Sequence, residues 1–359
     1  MIEAALQRAW RRRGSCARLL WPLSLVFATA VALRRALYRW RLLQPQGLPL
    51  PVIVVGNLIA GGAGKTPTVM AVVRHLQACG YSPGIISRGH GRRRDAAAVM
   101  AVQPTTPATD AGDEPLLLRL RLGVPVFVGV DRVAVARAAL AAHPEIDVLV
   151  SDDGLQHLRL PRVAQVVVFD ERGAGNGWLL PAGPLREPLT PRPPPNTAVL
   201  YNAPQASTHW PGHVATRQLS GLIPLADWWA GHAATMPCLA ELAASQAPVI
   251  AAAGVSQPER FFTMLRAAGL AITPLPLPDH HDYATLPWPV DAGDVVVTEK
   301  DAVKLRPERV AARGASTRVW VAPLDFSVDA NFETALQRLL PPRFFTPRTP
   351  RTPDGDTTA

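Results

Sequence analysis

Short apolar runs alternate with helical patterns between residues 42 and 205. Each run ends at turn residues, and several are followed by segments in which Val, Leu and Ala recur at helical spacing. This alternation is typical of parallel strands covered by helices, so it predicts an α/β fold built on a parallel sheet. The predicted strands are 52–55, 84–87, 126–129, 147–150, 165–169 and 198–202, and the predicted helices include 66–77 and one that ends at Leu140.

A second α/β pattern follows the proline-rich stretch at 190–196. A helical pattern at 258–268 stops at Gly269, as expected where a glycine ends a helix. These features predict a second, smaller α/β domain. Its predicted strands are 249–253, 294–297 and 318–322.

The patterns divide the chain into five segments. The last of them consists mainly of Pro, Thr, Arg, Asp and Gly, which cannot bury a core, so it is predicted to be disordered. The segments are the basic and apolar N-terminus at 1–41, the first domain at 42–205, an extended linker at 206–230, the smaller domain at 231–341 and the tail at 342–359.

The N-terminal segment at 1–41 combines positive charge with an apolar stretch. It holds nine arginines and one acid, Glu3, and so carries most of the formal net charge of +9. As a helix, the uncharged stretch at 19–33 would be about 22 Å long, whereas a bilayer core is about 30 Å thick. We therefore predict a helix that lies in the membrane surface, with its arginines at anionic headgroups.

Two other interpretations of this segment stay open. A signal peptide also has a basic start and a short apolar core, and Ala28-Thr29-Ala30 looks like a cleavage site. A buried core helix is the second interpretation. Nucleic acid is not a predicted partner, because the basic cluster contains no reading motif. Cys16, Cys79 and Cys238 lack metal-ligand spacing and fit reduced cytosolic thiols.

A glycine-rich run directly follows the first predicted strand. In such a loop, backbone amides wrap phosphates, the lysine reaches the outer phosphates and the threonine hydroxyl binds magnesium. The usual spacing would place a glycine at Ile59, but lysine is rare here, at 65, 300 and 304 alone, which favours a required point charge at Lys65. The run predicts a P-loop NTPase-like domain that binds a nucleoside triphosphate with Mg²⁺. Its residues are Gly61, Gly62, Ala63, Gly64, Lys65, Thr66 and Pro67.

Two carboxylates, Asp152 and Asp153, follow another predicted strand. Adjacent carboxylates at a strand end can hold the magnesium of a nucleotide enzyme directly or through water. An ordinary turn is the alternative, and the presence of Lys65 in the same sheet favours the metal site. His157 is close enough in sequence to return to this pocket, although a structural histidine is equally consistent.

Three further groups could act on a phosphate. Asp113 begins a predicted helix and satisfies the rules for a helix start without any catalysis, and as a base it would have to face the phosphate. Arg186 and Glu187 lie in a loop rich in Gly and Pro, where they could neutralise phosphoryl charge and complete a magnesium shell, or form a surface ion pair. Asp279-His280-His281 lacks a further ligand at metal spacing, which disfavours a metal site there.

Taken together, these motifs resemble, in the same order, the tetraacyldisaccharide 4'-kinase family. The resemblance covers about residues 10 to 340, and His90 stands where many members carry another aromatic residue. The motifs are Gly56-Asn57 with the glycine-rich run, Ser87 to Arg92, Gly112-Asp113-Glu114-Pro115, Asp152 to His157, Leu180 to Glu187, Asp279-His280-His281 and Thr298 to Asp301.

The resemblance implies a kinase that transfers the γ-phosphoryl group of ATP to the 4'-hydroxyl of tetraacyldisaccharide 1-phosphate, forming lipid IVA. It implies a peripheral enzyme at the cytoplasmic face of the Gram-negative inner membrane, with the acylated lipid and anionic lipids as partners and no protein partner. The implied roles are Asp113 as base with His280 as its partner, Lys65 and Thr66 on the phosphates and Mg²⁺, Asp153 and Glu187 in the metal site, and Arg186 and His157 at the reacting centre. Whether Asp152 or Asp153 binds the metal directly stays open.

Two other classes of protein share some of these sequence features with a lipid kinase. Membrane-attached ATPases that act as nucleotide switches carry similar loops, but they have no counterpart to Asp113 or to the loop with Arg186 and Glu187. A soluble small-molecule kinase would use the apolar N-terminus as part of its core.

Overall fold

The computed structural model describes residues 6, 8–93, 95–312 and 317–340. The predicted tail at 342–359 and the first five residues lie outside the described part of the chain.

The first domain is built on an eight-stranded sheet in the order β3-β4-β2-β5-β1-β6-β7-β8. Its neighbouring strands are parallel except for the β3–β4 pair. This confirms the predicted α/β fold. The strands are β1 (Val52–Gly56), β2 (Pro83–Ser87), β3 (Val99–Ala101), β4 (Val126–Gly129), β5 (Val148–Asp152), β6 (Ala164–Asp170), β7 (Thr197–Asn202) and β8 (His213–Val214).

Helices cover both faces of this sheet, which explains why its central strands are almost wholly apolar. Alternate side chains of β1 enter two different cores: Ile53 and Val55 pack in one, Val52 and Val54 in the other. The helices preceding the second domain are α1 (Ser15–Arg39), α2 (Lys65–Ala78), α3 (Ala108–Ala111), α4 (Asp113–Leu122) and α5 (Arg132–Ala142).

The second domain contains a five-stranded sheet in the order β10-β14-β13-β11-β12, parallel except for the β10–β14 pair. Its strands are β10 (Ile223–Pro224), β11 (Val249–Ala253), β12 (Ile272–Pro276), β13 (Asp294–Thr298) and β14 (Arg318–Ala322). Its helices are α6 (Leu225–Trp229), α7 (Met236–Ala244), α8 (Pro258–Ala267), α9 (Glu299–Ala302) and α10 (Pro307–Ala311).

The chain passes between the two domains twice. Strand β9 (Thr216–Leu219) leaves the first domain, and β15 (Leu324–Ser327) returns beside it in an antiparallel pair. The final helix, α11 (Ala330–Leu339), then contacts β7 of the first sheet. The structure thus differs from the predicted segments, since β8, β10 and α6 lie within the predicted linker and α11 lies within the predicted second domain. Apolar patterns locate elements in the sequence, but they do not say which sheet an element joins.

Helix α1 is longer than the apolar stretch at 19–33 from which it was predicted. At 25 residues it is about 37 Å long, and it is long and apolar enough to cross a membrane. The predicted helix was therefore too short, because the arginines that follow the apolar stretch continue the helix. Only 11% of its most apolar window is buried, so α1 is not a core helix.

One side of α1 is fixed to the protein. Ser24 is buried, donates a hydrogen bond to the carbonyl of Leu179 (2.9 Å) and accepts one from the amide of Ala182 (2.9 Å). Near its C-terminal end, Arg35 lies 3.4 Å from Glu187. The opposite side carries exposed apolar residues at helical spacing, namely Leu19, Leu23, Val26 and Leu33.

Candidate active site

The candidate site lies at the carboxyl ends of the central strands β2, β5 and β1. These strands are neighbours and parallel, so the segments that follow them meet at one edge of the sheet. The glycine-rich loop follows β1, Asp152 ends β5 and Ser87 ends β2. Residues that are far apart in sequence are thereby brought to one place.

The glycine-rich loop is held from its outer side. Gly61 and Gly64 have φ of +87° and +88°, which favours glycine at both positions. Arg172 donates to the carbonyl of Gly62 (2.7 Å), and Asn202 donates to the carbonyl of Ala63 (3.1 Å). Helix α2 begins directly after the loop, so its first amides, which have no partner within the helix, lie at the loop.

The side chain of Lys65 lies between polar groups at the base of the loop. Its Nζ is 3.2 Å from Oδ1 of Asn57 and 3.7 Å from Oδ2 of Asp153. Arg186 donates to Oδ1 of Asp153 at 3.0 Å. Burial alone would raise the pKa of Asp153, but the positive charges of Lys65 and Arg186 hold that pKa below its ordinary value. Asp153 is therefore ionised at neutral pH.

Asp152 has the opposite character. It is 1% exposed, its Oδ2 accepts a hydrogen bond from Ser87 (3.0 Å), and its Oδ1 has no partner. Burial, followed by the nearby charges of Glu114 and Asp153, raises the pKa of Asp152 to about 7. An unpaired carboxylate oxygen beside an ionised carboxylate is a site that a cation would complete.

These groups fit Mg²⁺ when they are considered with a bound triphosphate. Among the described residues, no three or more His, Cys, Asp or Glu side chains form a group that could hold a metal. Magnesium usually takes only one or two carboxylates from the protein and the rest of its ligands from phosphates and water. Asp152, Asp153 and Thr66 meet that requirement.

A second group of polar residues lies where the two domains meet. His280 Nδ1 of the second domain lies 3.0 Å from Oδ2 of Asp113, and Lys304 Nζ lies 3.4 Å from the same oxygen. Burial would raise the pKa of Asp113, but the His280 hydrogen bond and the charges of Lys304 and Lys300 hold it below its ordinary value. The N-cap of α4 is Gly112, and no side chain caps this helix. Asp113 thus faces a histidine of the other domain.

A cleft of about 240 Å³ lies beside the glycine-rich loop, and both domains line it. Thr66 and Pro67 contribute from the first domain, and Gln257 and Arg260 contribute from the second. Burial and then the charge of Arg260 lower the pKa of Arg217, a further lining residue, to about 10. The cleft is positively charged beside the glycine-rich loop, as binding of a triphosphate requires.

Two predicted site residues make their contacts elsewhere. Glu187 accepts a hydrogen bond from Gln156 (2.8 Å) and pairs with Arg35 of α1. His157 has a buried Nε2 without a hydrogen-bond partner, and burial followed by the charge of Arg132 lowers its pKa. The metal role of Glu187 and the role of His157 at the reacting centre stay predictions.

The sequence did not point to several residues that the structure places at the site. Arg172 and Asn202 hold the glycine-rich loop, but this depends on β6 and β7 lying next to β1, which no local pattern shows. His90 lies in the Ser87 to Arg92 motif but had no predicted role, and its ring packs against that of His280, with centroids 5.2 Å apart. Lys304 could have been singled out from the sequence, because lysine is rare in this chain.

This chain matches known proteins over nearly its whole length. The family model for Tetraacyldisaccharide-1-P 4'-kinase (LpxK) matches residues 16–341. The protein named Tetraacyldisaccharide 4'-kinase from Leptothrix cholodnii is 54% identical over 342 residues, covering 95% of this chain and 97% of the relative. A protein of the same name from Methylibium petroleiphilum is 55% identical, covering 95% of this chain and 94% of the relative.

The fold is also found in a solved structure. The crystal structure of LpxK from Aquifex aeolicus in complex with ATP matches with a TM-score of 0.71 and 25% identity, covering 90% of this chain and 99% of that one. The family model and the relatives each span nearly the whole chain. This chain therefore belongs to the Tetraacyldisaccharide-1-P 4'-kinase family.

Proposed function

We propose that this protein is an ATP-dependent kinase that phosphorylates the 4'-hydroxyl of tetraacyldisaccharide 1-phosphate in lipid A biosynthesis. The observation that carries the proposal is the contact between Asp113 and His280, whose neighbours Glu114 and Lys300 line the same cleft as Lys65. A phosphate cradle alone fits many nucleotide-binding proteins, whereas a carboxylate base opposite the cradle serves transfer to an acceptor hydroxyl.

The reaction follows from the charges around the cleft. The loop amides and Lys65 hold the outer phosphates of ATP, and Arg186 adds positive charge beside them. The acceptor oxygen forms a bond to the γ-phosphorus while the bond from that phosphorus to the β–γ bridging oxygen breaks. Asp113, ionised before the reaction, takes the proton of the acceptor hydroxyl, and His280 keeps the carboxylate oriented.

Positioning supplies most of the catalysis in this scheme. The transferring group in phosphoryl transfer is loosely bound to both oxygens, so the protein gains most by aligning the reactants and balancing their charge. We propose that Thr66, Asp152 and Asp153 hold Mg²⁺, with Glu187 as a further candidate ligand. When bound, Mg²⁺ neutralises charge on the phosphate oxygens.

We also propose that α1 brings the enzyme to the cytoplasmic face of the inner membrane. Its exposed side is apolar, its ends carry arginines, and the acyl chains of the acceptor keep that lipid in the bilayer. Anionic lipids are the expected partners of the arginines. ATP is a cytoplasmic substrate, which is why the enzyme is expected on that face.

Transfer of labelled γ-phosphate from ATP with Mg²⁺ to tetraacyldisaccharide 1-phosphate in mixed micelles tests the proposal. We expect labelling in the wild type and its loss in Lys65→Ala and Asp113→Asn. Glu145→Gln is the control, because Glu145 is exposed and pairs only with His143 among its described side-chain contacts. Equal ATP hydrolysis with and without lipid, together with a harmless Asp113→Asn, would instead indicate a switch ATPase.

A further inference from the structure

Of the three lysines of this chain, Lys65 and Lys300 line the cleft and Lys304 contacts Asp113, although lysine and arginine together number 37. Lys65 belongs to the glycine-rich loop. Lys300 Nζ lies 3.2 Å from Oδ1 of Asp279, 3.5 Å from Glu114 and 3.4 Å from Nε2 of His280. Lys304 has no role in the function proposed above. An ammonium group is compact and makes a point contact, which suits a buried position that a planar guanidinium would overfill.

Lys304 is held firmly within the second domain. Its side chain is 5% exposed, and its Nζ lies 3.2 Å from Oδ1 of the fully buried Asp301. Asp301 is fixed in turn, because its Oδ2 accepts hydrogen bonds from the amide of Gly254 (3.1 Å) and the hydroxyl of Thr298 (2.7 Å). The ring of Tyr283 lies on another side of the ammonium, 5.3 Å from Nζ to the ring centroid. The lysine head therefore has little freedom to move.

From this fixed position, Lys304 reaches the first domain. Its Nζ is 3.4 Å from Oδ2 of Asp113, the oxygen that is also 3.0 Å from Nδ1 of His280. Both contacts from the second domain thus fall on one oxygen of the carboxylate. The other oxygen, Oδ1, is left for the acceptor hydroxyl.

We propose that Lys304 is a positioning residue that keeps Asp113 ionised and turned toward the acceptor. Because Lys304 belongs to the second domain, the base is prepared by the contact between the two domains. The inference rests on the proposed role of Asp113 as the base. It extends that role by assigning Lys304, with Asp301 as its anchor, a function that differs from that of His280.

Several charged groups lie around Asp113. His280, Lys300 and Lys304 face it from the second domain, and Glu114 is its neighbour on α4. Lys300 forms ion pairs with Glu114 and Asp279, which partly neutralise it. Among the described ion pairs, Lys304 pairs only with Asp301 and Asp113. Removal of Lys304 therefore leaves Asp113 buried with less compensating charge, which favours its protonated form.

The test is the pH profile of kcat for phosphoryl transfer in Lys304→Met, an uncharged variant of similar length. We expect the acidic limb of the profile, set by protonation of Asp113, to move to higher pH by about one unit. The loss in kcat is then largest at the acidic end of the profile and smallest at pH 8, with the KM for ATP little changed. Lys304→Arg keeps the charge and should keep the position of the limb, even if its bulk slows the reaction.

Arg309→Met is the matched control. Arg309 also donates to the chain around Tyr283, at the carbonyls of Tyr283 (3.1 Å) and Ala284 (3.0 Å), but it makes no described contact with Asp113. It should lower thermal stability without moving the acidic limb. If Lys304→Met does not fold, Lys304→Gln, with a polar head, carries the same comparison.

The outcomes separate this inference from the function on which it rests. An acidic limb in Lys304→Met that coincides with that of the wild type, whether kcat falls equally at every pH or does not fall, overturns the role of Lys304. In that case, loss of transfer in Asp113→Asn would still support the base. If Asp113→Asn keeps full activity, the proposed base fails first, and the inference fails with it.

Discussion

Two adjacent carboxylates of the same chain have opposite ionisation behaviour. Asp153 is held ionised by Lys65 and Arg186, whereas Asp152 is buried with one unpaired oxygen and has a pKa raised to about 7. From the sequence, both carboxylates were candidate ligands of the same magnesium. The structure instead gives Asp153 two protein cations and leaves Asp152 as the group whose charge an added cation would stabilise.

This difference predicts a pH-dependent requirement for magnesium. A protonated carboxyl is a poor ligand for Mg²⁺, so as pH falls through about 7, Asp152 gains a proton and Mg²⁺ must displace it. We expect the Mg²⁺ concentration for half-maximal activity to rise by about tenfold per pH unit below pH 7, since one proton is exchanged. Steady-state kinetics at pH 6, 7 and 8 would measure it.

Asp152→Asn is the matched variant for this measurement, because it keeps the shape of the side chain and cannot titrate. It should need more Mg²⁺ than the wild type at pH 8 and show a much weaker dependence on pH. The same magnesium requirement at pH 6 and pH 8 in the wild type would show that Asp152 is not the titrating ligand.

Part of the site could be predicted from single residues and part could not. Lys65 and Thr66 stand in a local motif whose physical purpose can be inferred directly. The interaction of Arg172 with the loop spans 110 positions in sequence and requires β6 to be the neighbour of β1. The proximity of Asp113 and His280 is also non-local, and it was expected only from the resemblance to a family. From the sequence, the types of residue that the site needs could be inferred, but the distances between them could not.

At the scale of elements, helix α1 shows what an apolar pattern can and cannot decide. The pattern located the helix but underestimated its length, because arginine is a good helix former and the basic residues extended the helix beyond the apolar stretch. Nor did the pattern show that Ser24 fixes one side to the loop at 176–189. Because one side of α1 is fixed to the protein, only its opposite, apolar side is available for the proposed contact with the bilayer.

The exposed side of α1 gives an element-scale prediction. Leu23→Glu combined with Val26→Glu should greatly weaken binding to anionic vesicles, because both side chains are exposed and a charge does not enter the acyl region. Activity on an acceptor dispersed in detergent should be retained, since Ser24 still fixes the helix. Vesicle sedimentation and the micelle assay measure the two properties.

Met236→Glu provides the control for this pair, because Met236 is 57% exposed at the start of α7 in the second domain. It should leave vesicle binding unchanged. If the Leu23→Glu, Val26→Glu protein and the wild type bound vesicles equally, α1 would not be the part of the protein that contacts the membrane. The soluble-kinase alternative would then be favoured.

At the scale of the whole molecule, the cleft is divided between domains joined by two crossing segments, β9 and β15. Contacts across it already reach the first domain near the glycine-rich loop. Arg260 lies 3.0 Å from Glu171, and Gln257 donates to Asp170 at 3.4 Å. A side chain on Gly62 would meet Ser256 at 3.0 Å, so the second domain lies directly over the loop. The proposed base, Asp113, contacts His280 and Lys304 through the same apposition of the domains.

This arrangement predicts that ATP draws the domains together. Phosphates on the loop would attract the arginines of the second domain, and closure would exclude water that otherwise hydrolyses ATP. With Mg²⁺ and a non-hydrolysable ATP analogue, we expect slower hydrogen exchange at 254–257 and 278–281 and a smaller radius of gyration by X-ray scattering. Lys65→Ala, which lacks the lysine on the outer phosphates, should show smaller changes at the same analogue concentration. If the wild type gave identical exchange and scattering with and without the analogue, the domains would be fixed, and water would have to be excluded by the lipid acceptor itself.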